Sequence, residues 1–201
     1  MGTALVIGLL YKKHDRRIWF FIILIGLAIV TERLADIFIA PVQLNKRCYF
    51  IYNLYIPVDF LFVSLYYASV TTNITIKRMI WVTAIIFPIG CLALTALRNL
   101  CGFPGLQFNI EGVLNIALAL YCLFFLPVTS TPVFRITVFW ISLGLLFFHA
   151  ELFILNGVYD YLIEKKSEAA KQLNDNINRC FNILLYIFFS IGFICGKQTV
   201  K

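Results

Sequence analysis

Apolar and polar positions alternate along this chain in long blocks, not with the short periods of a soluble fold. Met1–Tyr11 is apolar, and a basic cluster follows at Lys12, Lys13, His14, Asp15, Arg16 and Arg17. Further apolar runs span Ile18–Ala40, Tyr49–Val70, Met79–Leu97, Phe108–Leu126, Arg135–Asn156 and Arg179–Gly196. Each of these six is long enough to cross a hydrocarbon core of about 30 Å as a helix of about 20 residues. Lipid offers the backbone no hydrogen-bond partners, so an apolar run of this length folds as a helix, which satisfies its own peptide groups. The pattern predicts an all-α, polytopic transmembrane bundle of about seven helices forming one transmembrane domain over residues 1–201. Met1–Tyr11 covers only about half a bilayer at 1.5 Å per residue. It is either a short first span or one whose beginning lies upstream.

The breaks are chemically explicit. Pro41 ends the second run, Gly102, Pro104 and Gly105 mark a loop, and Pro127 and Pro132 bracket a tight connection. Pro88 predicts a kink. Gly157–Asn178 is the longest polar segment, and Leu162, Ile163, Ala169, Leu173 and Ile177 allow a helical extension outside the membrane, where it is expected to cap what lies beneath it.

Composition narrows the class. Hydrophobic residues make up 61% of the 201, and charged residues 13%, about half the share of ordinary soluble domains. The formal charge of +7 sits in connections between spans, where it sets orientation, so no nucleic-acid partner is predicted. With the first connection in the cytoplasm, that side holds Lys12, Lys13, Arg16, Arg17, Lys77, Arg78, Arg135, Lys197 and Lys201. The other side holds Lys46, Arg47, Arg98, Lys165, Lys166, Lys171 and Arg179. The early cluster decides the choice: N-terminus outside, C-terminus in the cytoplasm. Cysteines stand at 48, 91, 101, 122, 180 and 195 without a CxxC pair, which argues against a zinc site or a disulfide framework. They read as small packing residues.

Ionisable groups inside the spans carry the candidate chemistry. The run from Arg135 to Asn156 holds His149 and Glu151 in its second half. Glu32 lies about 14 residues, or about 21 Å, into a span that starts on the cytoplasmic side. Glu111, Asn53 and Asn182 come early in spans that start outside, with Asn115 one turn beyond Glu111 and Asp59 nearer the midplane. Random placement would scatter such residues. The sequence predicts a polar cavity open to the non-cytoplasmic side, lined by Glu32, Arg33, Asp36, Asn53, Glu111, Asn115, His149 and Glu151, with Asp59 deeper. Five acids facing one arginine and one histidine must be protonated, hydrated or matched by a cation. The plainer account makes these groups helix-to-helix bonds worth about 0.6–2 kcal/mol per pair, with Arg33 paired to Glu111 or Glu151.

Several classes fall away. A retinal protein needs a lysine deep in its last span, and Arg179–Gly196 has none. A three-histidine zinc centre is excluded because His14 and His149 are the only histidines. There is no phosphate-binding glycine loop, GxSxG or HExxH. No catalytic residue, metal or cofactor is assigned.

The stretch Tyr52-Asn53-Leu54-Tyr55-Ile56-Pro57-Val58-Asp59-Phe60-Leu61-Phe62 fits a YN-x-Y-x-P-x-(D/E)-FLF pattern. With Phe139-Trp140-Ile141-Ser142-Leu143-Gly144 and Asn182-Ile183-Leu184-Leu185-Tyr186, it resembles small multi-pass inner-membrane proteins of Bacteroidota. The resemblance implies a bacterial inner membrane and a bundle of about seven helices, and no chemistry. By size and hydropathy the chain also resembles membrane accessories of RNA-targeting type VI-B CRISPR systems, with no particular residue carrying that link.

Three functions remain. The leading one is a non-enzymatic sensing or regulatory module, its cavity binding a small ligand or a proton and its helices relaying the change to a cytoplasmic protein. His149 beside Glu151 is its pH-responsive element. The second is a proton or cation conductor, oligomeric if a pore forms between subunits, with Asp59, Glu111 and Glu151 on the path. The third is an intramembrane lipid hydrolase using Glu32, Asp36 or Glu151 as general base. The bilayer is the one certain partner.

Overall fold

The structure, a computed structural model, describes residues 1–11, 17–39, 49–97, 101–102, 104–125, 132–164 and 168–195. Those residues form seven α-helices and no strand: α1 Gly2–Tyr11, α2 Ile18–Ile39, α3 Phe50–Val70, α4 Ile74–Leu97, α5 Gly105–Phe124, α6 Thr137–Glu164 and α7 Glu168–Cys195. A 3₁₀ turn, Val133–Arg135, leads into α6. Six of the helices contain a stretch long and apolar enough to cross a membrane, and α1 is too short to count among them. The chain is an all-helical multi-pass membrane protein, with lipid as the environment of its spans.

Several ends differ from the hydropathy boundaries, for local reasons. Helix α4 begins at Ile74, because Asn73 Oδ1 accepts from the amide nitrogens of Thr75 at 2.9 Å and Ile76 at 3.3 Å. These are orphan donors of a first turn, and an asparagine cap supplies their acceptor. Lys77 and Arg78 therefore ride on the helix rather than in a connection. Helix α5 starts at Gly105, just after Pro104, and so includes Gln107. Helices α6 and α7 continue into the polar segment, ending at Glu164 and starting at Glu168. The helical extension expected there is present, but the side chains of 156–164 and most of 168–175 lie outside the described residues, and so does the expected capping role. Pro57 and Pro88 are carried within α3 and α4.

The chain divides into two compact units. One runs from Arg16 to Gln107 and holds α2, α3, α4 and the first turn of α5. Its core is aromatic: Phe21 of α2 meets Tyr66 of α3 edge-on at 4.7 Å, and Phe60 of α3 meets Phe87 of α4 at 4.6 Å. Such edge-to-face pairs add about 0.5–1.5 kcal/mol beyond area burial. Trp81, Val82, Ile85, Ile86, Ile89 and Leu92 of α4 stay exposed, an apolar face that suits lipid rather than water.

The other unit holds α1, the rest of α5, α6 and α7. Helices α6 and α7 pack closely because glycine stands where they meet. A Cβ built on Gly144 would lie 3.1 Å from Phe188 Cβ and 3.3 Å from Leu185 Cδ1. One built on Gly192 would lie 3.3 Å from Trp140 Cβ and 3.4 Å from Ile141 Cγ1. Small residues at a membrane helix interface let the backbones approach. The Trp140 indole donates to the Phe134 carbonyl at 2.8 Å and stacks toward Phe188, tying the 3₁₀ turn to the pair.

One expectation about cysteine is overturned. Cys101 is disulfide-bonded. Cys91, Cys122, Cys180 and Cys195 are free, and the sixth cysteine of the chain, Cys48, lies outside the described residues. Spacing misled here because no short motif such as CxxC surrounds Cys101.

Candidate functional site

In the unit built from α2, α3 and α4, a chain of polar side chains ties helices and connections together. Asn53, in the first turn of α3, donates to the carbonyls of Tyr49 at 3.2 Å and Gly102 at 3.0 Å. Thr95 of α4 donates to Asn53 Oδ1 at 3.5 Å, and Gln107 donates to Thr95 Oγ1 at 2.9 Å and to the Cys91 carbonyl at 3.2 Å. The Tyr49 amide donates to the Cys101 carbonyl at 3.3 Å, so the disulfide-bearing connection is also pinned to the start of α3. Asn53 thus serves a clamp. Gln107→Leu is expected to lower stability by about 1–2 kcal/mol, since it removes the donor to two buried acceptors. Thermal unfolding in detergent checks this, and an unchanged midpoint would sink it.

Asp59 is half-buried and accepts from Tyr55 one turn earlier on α3 at 2.8 Å. Glu32 and Arg33 are exposed near the end of α2, and the side chain of Asp36 lies outside the described residues.

The other unit gathers the remaining candidates. Asn115 of α5 is fully buried, and its amide nitrogen lies 2.9 Å from Nε2 of the buried His149 on α6. An amide nitrogen can only donate, so in this arrangement Nε2 accepts and the ring is neutral with its proton on Nδ1. Gly112 stands one turn before, where a Cβ would lie 3.7 Å from the His149 carbonyl, an ordinary van der Waals contact. Glu111 is buried one turn before Asn115, on the same face of α5. Glu151 is buried two residues after His149 and therefore points to the opposite side of α6.

What distinguishes this unit is an excess of acceptors. Asn109 Oδ1, Asn115 Oδ1, both carboxylate oxygens of Glu151 and Asn178 Oδ1 are buried with no hydrogen-bond donor. A native interior rarely leaves such oxygens unmet. They belong to the first half of α5, the second half of the α6 span and the start of the α7 span. As consecutive membrane spans α5 and α6 run in opposite directions, so these segments share one end of the unit. Among the described residues, no group of three or more His, Cys, Asp or Glu is placed to hold a metal ion.

Of the residues singled out in the sequence, the structure joins Asn115 with His149 and places Glu111 and Glu151 on the same two helices. Asn109, Asn178, Thr95, Gln107 and Cys101 were missed. Asn109 stands two residues before Glu111 at the start of the fifth apolar run, and Asn178 closes the polar segment Gly157–Asn178, so hydropathy left both outside the candidates.

No protein-family model matches the chain, and no curated protein or solved structure matches it significantly.

Proposed function

We propose that this chain is a non-enzymatic sensing or regulatory module of the bacterial inner membrane, with its ligand-facing end on the non-cytoplasmic side and its C-terminus in the cytoplasm. The observation that carries the reading is the set of buried, donorless acceptor oxygens beside the Asn115–His149 pair. Such an arrangement changes when a donor or proton arrives. A proton taken up at His149 Nε2 would face the Asn115 amide nitrogen with a second donor. The amide would then turn and offer its idle Oδ1 instead. That exchange is a local two-state element, which a sensor requires.

The disulfide supports the orientation independently of the basic cluster. Disulfides persist in oxidising compartments and are rare in the cytosol. Cys101 stands four residues before α5. In a chain of alternating crossings, the connection before α5 and the end where α6 meets α7 share a side. The acceptor-rich end of α5 and α6 is that same end. The resemblance to small Bacteroidota proteins supports the inner membrane.

The reading is tested at the other end. Cys195, free and half-buried on the last turn of α7, contacts the Phe134 carbonyl through Sγ at 3.5 Å, so it reports movement of α7 against the 3₁₀ turn. In a Cys180→Ser background, the rate of maleimide labelling at Cys195 in proteoliposomes, divided by that of free cysteine at the same pH to remove the thiolate dependence, is expected to change between pH 5 and 8. Asn115→Leu is expected to flatten that change. A pH-independent ratio in the parent, together with proton or cation flux lost in Glu151→Gln, would replace the sensor by a conductor.

A further inference from the structure

Two glycine contacts give α6 and α7 one antiparallel register. Gly144 meets Phe188, and Gly192 meets Trp140. Seven residues further along α6, the same register brings Glu151 to the level of Phe181 on α7. A helix face drifts only about 20° over seven residues, so Glu151 lies on the stripe of α6 that Gly144 presents to α7. On the matching stripe of α7, within one turn of that level, stand Ile177, Phe181 and Leu184, all apolar.

Glu151 is only 6% exposed, and neither of its carboxylate oxygens has a hydrogen-bond partner. Charged groups stand elsewhere. His149 is about 160° round α6 from Glu151 and is bonded to Asn115, with Glu111 one turn before Asn115 on α5. Arg179 and Cys180 of α7 are exposed, Arg179 on the side of that helix away from α6. Helix α1 carries no charged side chain, and Arg135 lies about 24 Å along the chain of α6 from Glu151. The side chains of Asp160, Glu164, Glu168, Lys171 and Asp175, on the continuations of α6 and α7, lie outside the described residues. A carboxylate ion buried against an apolar stripe without a donor is strongly disfavoured, whereas the neutral acid is tolerated. The closed seam between α6 and α7 therefore fits Glu151 with its proton.

We propose that Glu151 is a proton site that gates its end of the α6–α7 seam. With the proton bound, the carboxyl group stays packed against α7. When the proton leaves to water, the seam parts there and water hydrates the carboxylate. The other end stays closed, held by the contacts of Gly144 and Gly192. This site goes beyond the Asn115–His149 exchange, because it uses another group on the other side of α6. One proton separates the closed from the open form, so the open fraction grows with pH, by up to about ten-fold per pH unit.

The test uses the full chain in nanodiscs with a cysteine placed in the seam. In a Cys180→Ser, Cys195→Ser background, Ile177→Cys is labelled with a water-soluble maleimide from pH 5 to 9, and the same background without it gives the blank. The rate is divided by that of the matching Glu151→Gln variant, which cancels the titration of the thiol itself. This ratio is expected to rise with pH, approaching about ten-fold per unit. Glu151→Leu, equally uncharged, takes the place of the glutamine variant if that does not fold. Thermal unfolding is the second readout. The wild-type midpoint is expected to fall relative to Glu151→Gln as pH rises, since the closed form holds a proton that the unfolded chain releases. A ratio that stays flat or falls with pH overturns the gate. So does a wild-type midpoint that moves when sodium replaces choline at fixed pH while that of Glu151→Gln does not, because Glu151 would then hold a cation. The two readings fail separately. Glu151→Gln should leave the pH response of Cys195 in place, and Asn115→Leu should leave the rise at Ile177→Cys.

Discussion

Gly144→Val is expected to be among the most damaging single substitutions in this chain, lowering stability by about 1–3 kcal/mol through overpacking. The added Cβ would meet Phe188 Cβ at 3.1 Å and Leu185 Cδ1 at 3.3 Å, closer than ordinary van der Waals contact. Neither neighbour yields easily. The Phe188 ring is held between Trp140 and Phe147, with centroids at 5.7 and 6.1 Å, and a Cβ moves only with its backbone. Gly192→Val should act in the same direction, since its Cβ would press on Trp140 Cβ and Ile141 Cγ1. The comparison that isolates packing is Gly26→Ala and Gly90→Ala. A Cβ at either position meets nothing within 4 Å. Both sit inside helices, so alanine there should leave stability unchanged or raise it by up to about 1 kcal/mol. Thermal unfolding of all four in one detergent provides the check. A Gly144→Val midpoint equal to that of wild type would mean that α6 and α7 do not pack as closely as described.

Cys101→Ser is expected to have an effect of similar or larger size, about 2–4 kcal/mol, because it removes the disulfide at Cys101. The connection it anchors is otherwise held by the Tyr49–Cys101 backbone bond and by Asn53 donating to Gly102. These keep part of the geometry, so the variant should fold with a lower midpoint. Adding reductant should destabilise the wild type and leave Cys101→Ser unaffected. The same residue tests orientation in intact cells. Non-reducing electrophoresis of protein taken from cells with thiols blocked at lysis should show the oxidised form. Fully reduced protein under those conditions would put this connection in the cytoplasm and reverse the topology.

Much of the architecture is legible in the sequence, and the reason is physical. Whether a segment crosses lipid depends on the summed transfer free energy of about twenty consecutive residues, a local quantity that a window along the chain measures directly. The six long apolar runs accordingly became six long helices, and Met1–Tyr11 became a short one. Helix ends were read less well. Asn73, a single side chain bonding two amides, moved the start of α4 back, and Gln107 carried α5 past its apolar boundary.

The polar residues divide in the same way. That Asn53, Asp59, Glu111, Asn115, His149 and Glu151 lie within spans follows from position alone, because burial in a membrane is set by the surrounding run. Which partner each takes depends on the angle and register at which helices meet. Asn53 was a candidate ligand until Gly102 and Thr95, each more than forty residues away in sequence, were seen to occupy it. Asn115 and His149, thirty-four residues apart, come to 2.9 Å only through the packing of α5 on α6. Sequence by itself determined that this chain lives in a bilayer and which of its groups are buried there, since both follow from local hydropathy. Tertiary structure decided which of those groups face one another, since that depends on contacts between residues remote along the chain.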